Sequence, residues 1–234
     1  AGWTAITNTN GSITSQVSAN QTAWFSIVGY NGSANWTIWH WLWKAPDLII
    51  VKNRNIYDAW PVYHSALWKD KTLALEQTTT AGSYTNYWWT STPNSSTFWT
   101  TSWGYVTAQW NNIAYIWSEV PWFSKFWSYT WNGSSTWDWP FIYTWFKPRW
   151  IMIKNAGGSY YWQIIDTARS PFNGTTYSLY TNVPDSEYND TASNQVDVLS
   201  NGFKLRSNGY VSNQSSTYIY AAFAEAPLKY ATAR

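Results

Sequence analysis

The feature that most constrains this chain is that it repeats itself. Laid over itself at a spacing of 102 residues, Ala45-Pro46-Asp47-Leu48-Ile49-Ile50-Val51-Lys52-Asn53 falls on Lys147-Pro148-Arg149-Trp150-Ile151-Met152-Ile153-Lys154-Asn155. At the same spacing Trp60-Pro61-Val62-Tyr63 falls on Trp162-Gln163-Ile164-Ile165. Asn31-Gly32-Ser33 meets Asn132-Gly133-Ser134 at 101, and Gly104-Tyr105-Val106 meets Gly209-Tyr210-Val211 at 105. Residues 113–121, ending Glu119-Val120-Pro121, meet 219–227, ending Glu225-Ala226-Pro227, at 106. The order is kept while the spacing drifts by small insertions, which is the signature of two copies of one module. The reading is a polar leader over 1–22, a first copy over 23–124 and a second over 125–234.

Each copy reads as β-structure. Short alternating runs rich in Thr, Tyr, Trp and Val are separated by Asn-Gly and Gly-Ser punctuation, and no stretch sustains an apolar period near 3.6. The sequence predicts strands at 24–30, 36–43, 48–52, 60–65, 72–76, 105–109 and 113–119. In the second half it predicts them at 141–145, 150–154, 161–166, 197–199, 202–206 and 217–224. Leu48-Ile49-Ile50-Val51 and Trp150-Ile151-Met152-Ile153 are nearly continuous apolar runs, so each is expected to be a central strand covered on both faces. Pro46 and Pro148 stand at their entrances, where a missing N–H breaks no ladder bond. About seven short strands per hundred residues give the expected fold class: all-β, two tandem β-sandwich (jelly-roll-like) modules from an internal duplication.

Composition narrows the function classes. The 234 residues include 22 Trp, 18 Tyr and 9 Phe against 14 basic and 12 acidic side chains, with no Cys. Such a chain has too much apolar surface and too little net charge for disorder. It has no disulfide framework, thiol nucleophile or thiolate metal site. Lys and Arg are scattered rather than clustered, so no phosphate-binding patch and no nucleic-acid partner are expected. The longest uncharged run, 77–124, is full of Thr, Ser, Asn and Gln, so membrane insertion is not expected.

Catalysis and metal binding find thin support. The pair Glu119 and Glu225 could suggest glycoside hydrolysis, which needs two carboxylates across a cleft. They occupy the same place in separate copies, so a structural role is expected. His40 and His64 are the only imidazoles, which rules out a three-histidine metal site. His64 falls on Asp166 at the 102 spacing, so the module needs a polar strand end there rather than an imidazole. The acidic segment 185–190 could offer oxygen ligands to a hard cation, but its spacing matches no calcium loop, and a solvated loop is expected. No catalytic residue, metal ligand or cofactor is therefore assigned.

Aromatic platforms beside Asn, Asp and Gln are what sugar binding uses. Trp39, Trp41, Trp43, Trp88, Trp89, Trp137 and Trp139 are the candidates for glycan or subunit contact. In the 36–43 run, alternation sends Trp39, Trp41 and Trp43 to one face and Ile38, His40 and Leu42 to the other, and one of those faces must be core.

The segments 45–52, 60–65, 121–126, 148–154, Asp166-Thr167-Ala168-Arg169-Ser170-Pro171, 199–204 and the closing 218–230 resemble a duplicated domain of bacteriophage structural proteins. That resemblance implies a location, the surface of a virion in a tail fibre or similar appendage. It also implies assembly into a symmetric oligomer or filament with other virion proteins. It supplies no catalytic residue. The expected function is a non-enzymatic structural or adhesion role in host attachment. The alternative is a carbohydrate-binding module that recognises a host surface glycan through loop aromatics, and an enzyme acting on such a glycan comes third. Against the resemblance, Trp stands where glycine is implied at Trp24, Trp39, Trp41, Trp43, Trp68, Trp122, Trp127, Trp131, Trp139 and Trp145. Either these rings form an aromatic surface, or the gene uses UGA for glycine and has been translated with UGA as Trp.

Overall fold

The computed structural model describes residues 4–32, 36–68, 70–82, 92–100, 110–132, 139–174, 176–190 and 193–225. Among these there are eighteen strands and no helix. The chain falls into two compact units, Ala1–Leu75 with Ala81–Glu119 and Glu76–Thr80 with Val120–Arg234.

The first unit is built on a seven-stranded antiparallel sheet. Its spatial order is β1 (Ile6–Asn8), β2 (Ser15–Asn20), β3 (Phe25–Tyr30), β9 (Asn112–Trp117), β5 (Leu48–Asn53), β6 (Pro61–His64) and β7 (Leu73–Ala74). A two-stranded sheet of β4 (Thr37–Trp39) and β8 (Thr97–Trp99) accompanies it. The second unit has a six-stranded sheet in the order β10 (Ser124–Thr130), β18 (Thr217–Ala224), β12 (Pro148–Asn155), β13 (Trp162–Asp166), β14 (Thr176–Tyr180) and β15 (Tyr188–Asp190). With it goes a three-stranded sheet of β11 (Phe141–Tyr143), β17 (Gly202–Leu205) and β16 (Val196–Leu199).

The duplication is visible in register as well as in order. The block β3-β9-β5-β6 repeats as β10-β18-β12-β13. In the first, Ile49 lies between Ile116 and Tyr63; in the second, Ile151 lies between Ala222 and Ile165. These are the partners that the sequence spacings of 102 and 106 require.

Each block buries one face against its small sheet, which makes two sandwiches. In the first unit Val28, Tyr30, Ile49, Val51 and Ile116 meet Ile38 and Phe98. In the second, Ile151, Ile153, Ile165 and Tyr220 meet Ile142, Phe203 and Leu205. An edge-to-face ring contact ties the layers in each, Tyr30 with Phe98 at 5.8 Å and Phe203 with Tyr220 at 5.4 Å. Close approach of the neighbouring β11 backbone fixes Gly202, where an added Cβ would stand 2.1 Å from the Ile142 carbonyl oxygen. β5 and β12 are buried on both sides along most of their length, as their apolar runs predict.

Some predicted elements change. The stretch read as a polar leader carries β1 and β2, because Ser15 and Val17 alternate inward beneath an otherwise solvated Thr/Ser face. The strand predicted at 36–43 ends at Trp39, and that predicted at 141–145 ends at Tyr143. In both places the backbone leaves the extended region, with φ of 61° at Trp41, 60° at Trp43 and 74° at Trp145. The predicted strand 105–109 lies outside the described residues. β1, β2, β8, β10, β14 and β15 are additional.

The shortened strands have a geometric cause. Stacked sheets lie about 10 Å apart, and only residues 144–147 separate β11 from β12 in the opposite layer. The chain must turn sharply as it crosses. Removing the ring that ties the layers should unfold either sandwich: Phe98→Ala and Phe203→Ala should each cost about 3–5 kcal/mol in denaturant titrations, and a loss below about 1 kcal/mol for either would contradict this core assignment.

Candidate functional site

The described rings proposed for contact fall in both units. In the first unit Ile38, His40 and Leu42 are the buried face of the 36–43 segment, so Trp39, Trp41 and Trp43 are its outer side. Trp39 meets Trp43 edge-on at 5.3 Å. Trp41 packs against the core and borders a cleft of about 340 Å³ with Ile6, Val17, Ala19 and Gln21. The Gln21 amide oxygen, turned toward the indoles, accepts from Trp41 Nε1 at 3.3 Å and Trp43 Nε1 at 2.6 Å. In the second unit Trp139 packs against the core. Trp88, Trp89 and Trp137 lie outside the described residues.

A second aromatic surface was not anticipated. On β11, Phe141 and Tyr143 face outward while Ile142 is buried between them. Their rings stand 6.2 Å apart, Trp145 follows at 4.5 Å from Tyr143, and Trp122 completes the row at 5.9 Å from Trp145. All four are exposed, at 41, 43, 51 and 53 %. The signal was present in the sequence as the alternation Phe141-Ile142-Tyr143-Thr144-Trp145-Phe146.

The second unit also holds a polar cleft of about 410 Å³, lined by Asn155, Gly158, Tyr160, Asn208, Gln214 and Ser216 among others. Tyr160 stacks on Tyr210 at 5.2 Å on one side of it. Asn155 holds the cleft together. Its Nδ2 donates to the Tyr210 carbonyl at 3.1 Å, and its Oδ1 accepts from Gly157 N at 3.0 Å and Ser216 Oγ at 2.6 Å. Asn53, its counterpart, likewise donates to Trp110 O and accepts from Asn55 N and Ile56 N. The asparagine is therefore a loop pin in both copies.

The charged and titratable groups are mostly committed to the fold. His64 Nδ1 accepts from Ala66 N at 3.1 Å, and Asp166 Oδ1 accepts from Ala168 N at 2.8 Å. An imidazole and a carboxylate thus perform the same turn-closing task at equivalent positions. Glu119 has its backbone N–H held by Asp47 Oδ2 at 2.7 Å, and the largely exposed Glu225 reaches Arg149 at 3.5 Å. Each glutamate belongs to its own unit.

The 185–190 segment is dispersed: Glu187 pairs with Arg169 at 2.6 Å, while Asp190 is buried on β15. Asp190 accepts from Ser178 at 3.1 Å and, more distantly, from Tyr180 and Asn194. Burial raises its pKa against those bonds. Among the described residues no group of three or more His, Asp or Glu side chains could hold a metal ion.

Lys154 is fully buried, and its ammonium donates to the carbonyls of Thr78, Asn155 and Gly158 at 3.2, 2.7 and 3.1 Å. Burial draws its pKa down to about 8. Its counterpart Lys52 donates to the Asp58 carbonyl at 2.6 Å and lies over the Trp60 ring. Sequence reasoning passed over this lysine, whose only signal was its place at the end of an apolar strand.

His40 is buried, with Nε2 donating to the Asn94 carbonyl at 3.0 Å and Nδ1 accepting from Leu42 N at 3.2 Å. These bonds use both nitrogens of a neutral ring. Burial lowers its pKa from 6.5 to about 4, although the Asn94 bond opposes the shift. The unfolded chain therefore takes up the proton first, and stability present above pH 6.5 is lost as pH falls toward 4. Roughly 2–3 kcal/mol should disappear across that window. In pH-dependent denaturation His40→Gln should flatten this part of the profile, and an unchanged profile would contradict the assignment.

Neither a curated protein nor a solved structure matches the chain. The profile of one family, a domain of unknown function designated DUF7483, matches residues 1–227, so it spans both copies and the two strands before them. The chain belongs to the DUF7483 family.

Proposed function

We propose that this chain is a non-enzymatic structural or adhesion component on the outside of a phage virion, in a tail fibre or similar appendage, and that it assembles with copies of itself. The observation that carries the assembly part is the outward pair Phe141 and Tyr143 on β11, continued by the rings of Trp145 and Trp122. A sandwich has no internal use for two large rings on the solvent side of a strand whose intervening residue already fills the core. Aromatic side chains are enriched where protein surfaces meet. The virion location rests on the sequence resemblance. An enzymatic role gains nothing from His64 and Asp166, since both are spent on closing turns.

A second reading, glycan recognition, is favoured by one observation of its own. The cleft around Tyr160 combines a ring with amides and hydroxyls from Asn208, Gln214 and Ser216, the mixture that orients a sugar.

Sedimentation of the full chain separates the readings. The assembly reading expects an oligomer that Phe141→Ser with Tyr143→Ser converts to monomer while the thermal midpoint changes little. A wild-type chain that stays monomeric at high concentration would contradict it. The glycan reading expects tryptophan fluorescence to respond to a host polysaccharide and Tyr160→Ala to abolish the response. Silence across a broad panel of glycans would remove that reading.

A further inference from the structure

Six non-glycine residues among those described have positive φ, and five are tryptophan: Trp24 at 44°, Trp41 at 61°, Trp43 at 60°, Trp122 at 66° and Trp145 at 74°. The sixth is Asn111 at 62°, one of the few residue types that tolerate this region. For a bulky side chain a positive φ is an outlier, because Cβ crowds the neighbouring carbonyl oxygen. Glycine has no such penalty.

The positions are also correlated between the two copies. His40 and Thr144 are both buried, and the N–H of each donates at 3.0 Å to the carbonyl of a residue just before a strand of the small sheet, Ser96 and Asn201 respectively. Each is followed by a left-handed tryptophan, Trp41 or Trp145, and then by a buried apolar residue, Leu42 or Phe146. Trp24-Phe25-Ser26 and Trp122-Phe123-Ser124 are the same tripeptide at the entrances to β3 and β10, set one residue apart in register because Phe25 faces Trp117 and Ser124 faces Phe223, and both tryptophans are left-handed. The two copies thus place the same disfavoured residue in the same disfavoured conformation at 41 and 145, and each enters its first sandwich strand through another left-handed tryptophan.

Trp24 and Trp41 are half-buried, Trp24 beneath the Lys44 ammonium and Trp41 against the core, but the other three gain little from burial. Trp43, Trp122 and Trp145 are more than half exposed. By contrast Trp162, on the central strand pair of the second unit, is 1 % exposed and has ordinary strand backbone.

We propose that the codons behind Trp24, Trp41, Trp43, Trp122 and Trp145 are read as glycine where this protein is naturally made, and that they are UGA codons in a genetic code that assigns UGA to glycine. The five bends then need no strained residue. The cleft beside Gln21 loses the Trp41 ring as one wall, and the exposed row on the second unit contracts to Phe141 and Tyr143. The assembly reading stands on those two residues and does not depend on this inference.

Two experiments test it. Peptides of the protein isolated from its native host, sequenced by mass spectrometry, should carry glycine at 24, 41, 43, 122 and 145 and tryptophan at 162. Tryptophan at any of the five would overturn the proposal. Separately, the tryptophan form and a variant combining Trp24→Gly, Trp41→Gly, Trp43→Gly, Trp122→Gly and Trp145→Gly are made in a standard host and melted. The glycine form should melt higher, while the control Trp162→Gly should melt lower than the tryptophan form. A glycine form that melts at or below the tryptophan form would overturn the backbone argument.

Discussion

Each sandwich depends on carrying the chain from its small sheet to its large one within a few residues. β11 reaches β12 through residues 144–147, and β4 reaches β5 through residues 40–47. Both crossings use left-handed backbone immediately after a buried polar residue whose N–H is anchored to a turn carbonyl beside the small sheet. The crossing sets the phase of everything downstream. It delivers Ile49 and Ile151 to the inner face, and a slip of one residue would turn that face to the other side.

That geometry conflicts with the residues written at the bends. An L-residue in the left-handed region costs roughly 1–2 kcal/mol, so five would cost about 5–10 kcal/mol. A domain of ordinary stability has only about 5–15 kcal/mol in total. Asn111 shows what a tolerated exception looks like, with a short polar side chain whose amide reaches Asn55 Oδ1 at 2.8 Å. The indoles of Trp122 and Trp145 touch little beyond each other and the neighbouring Tyr143. Reading the bends as glycine removes the conflict without moving a strand.

The duplication separates what the module requires from what it merely contains. His64 and Asp166 share an acceptor role, and Asn53 and Asn155 share a loop-pinning role. Lys52 and Lys154 both donate hydrogen bonds to loop carbonyls, though only Lys154 is fully buried. Much of this was legible from sequence, because self-alignment and apolar runs report the central strands directly. β2 and β10 were missed because their outward residues are polar or aromatic without a clean alternation, so tertiary pairing outweighs local pattern. The strands at 36–43 and 141–145 were drawn too long because burial alternates through the bend even after the backbone has left the extended region. All five left-handed tryptophans fall among the ten sites where the family resemblance implies glycine. Neither the outward pair Phe141 and Tyr143 nor the Tyr160 cleft could be placed beforehand, because both depend on which face of a short strand or loop meets solvent.

The central claim is that the fold demands glycine at its layer crossings, and a crystal structure of the protein purified from its native host addresses it most directly. The account predicts left-handed backbone at residues 41 and 145 with no side-chain density beyond Cα, beside clear indole density at Trp162. Indole density at 41 and 145 on backbone of ordinary negative φ would contradict it.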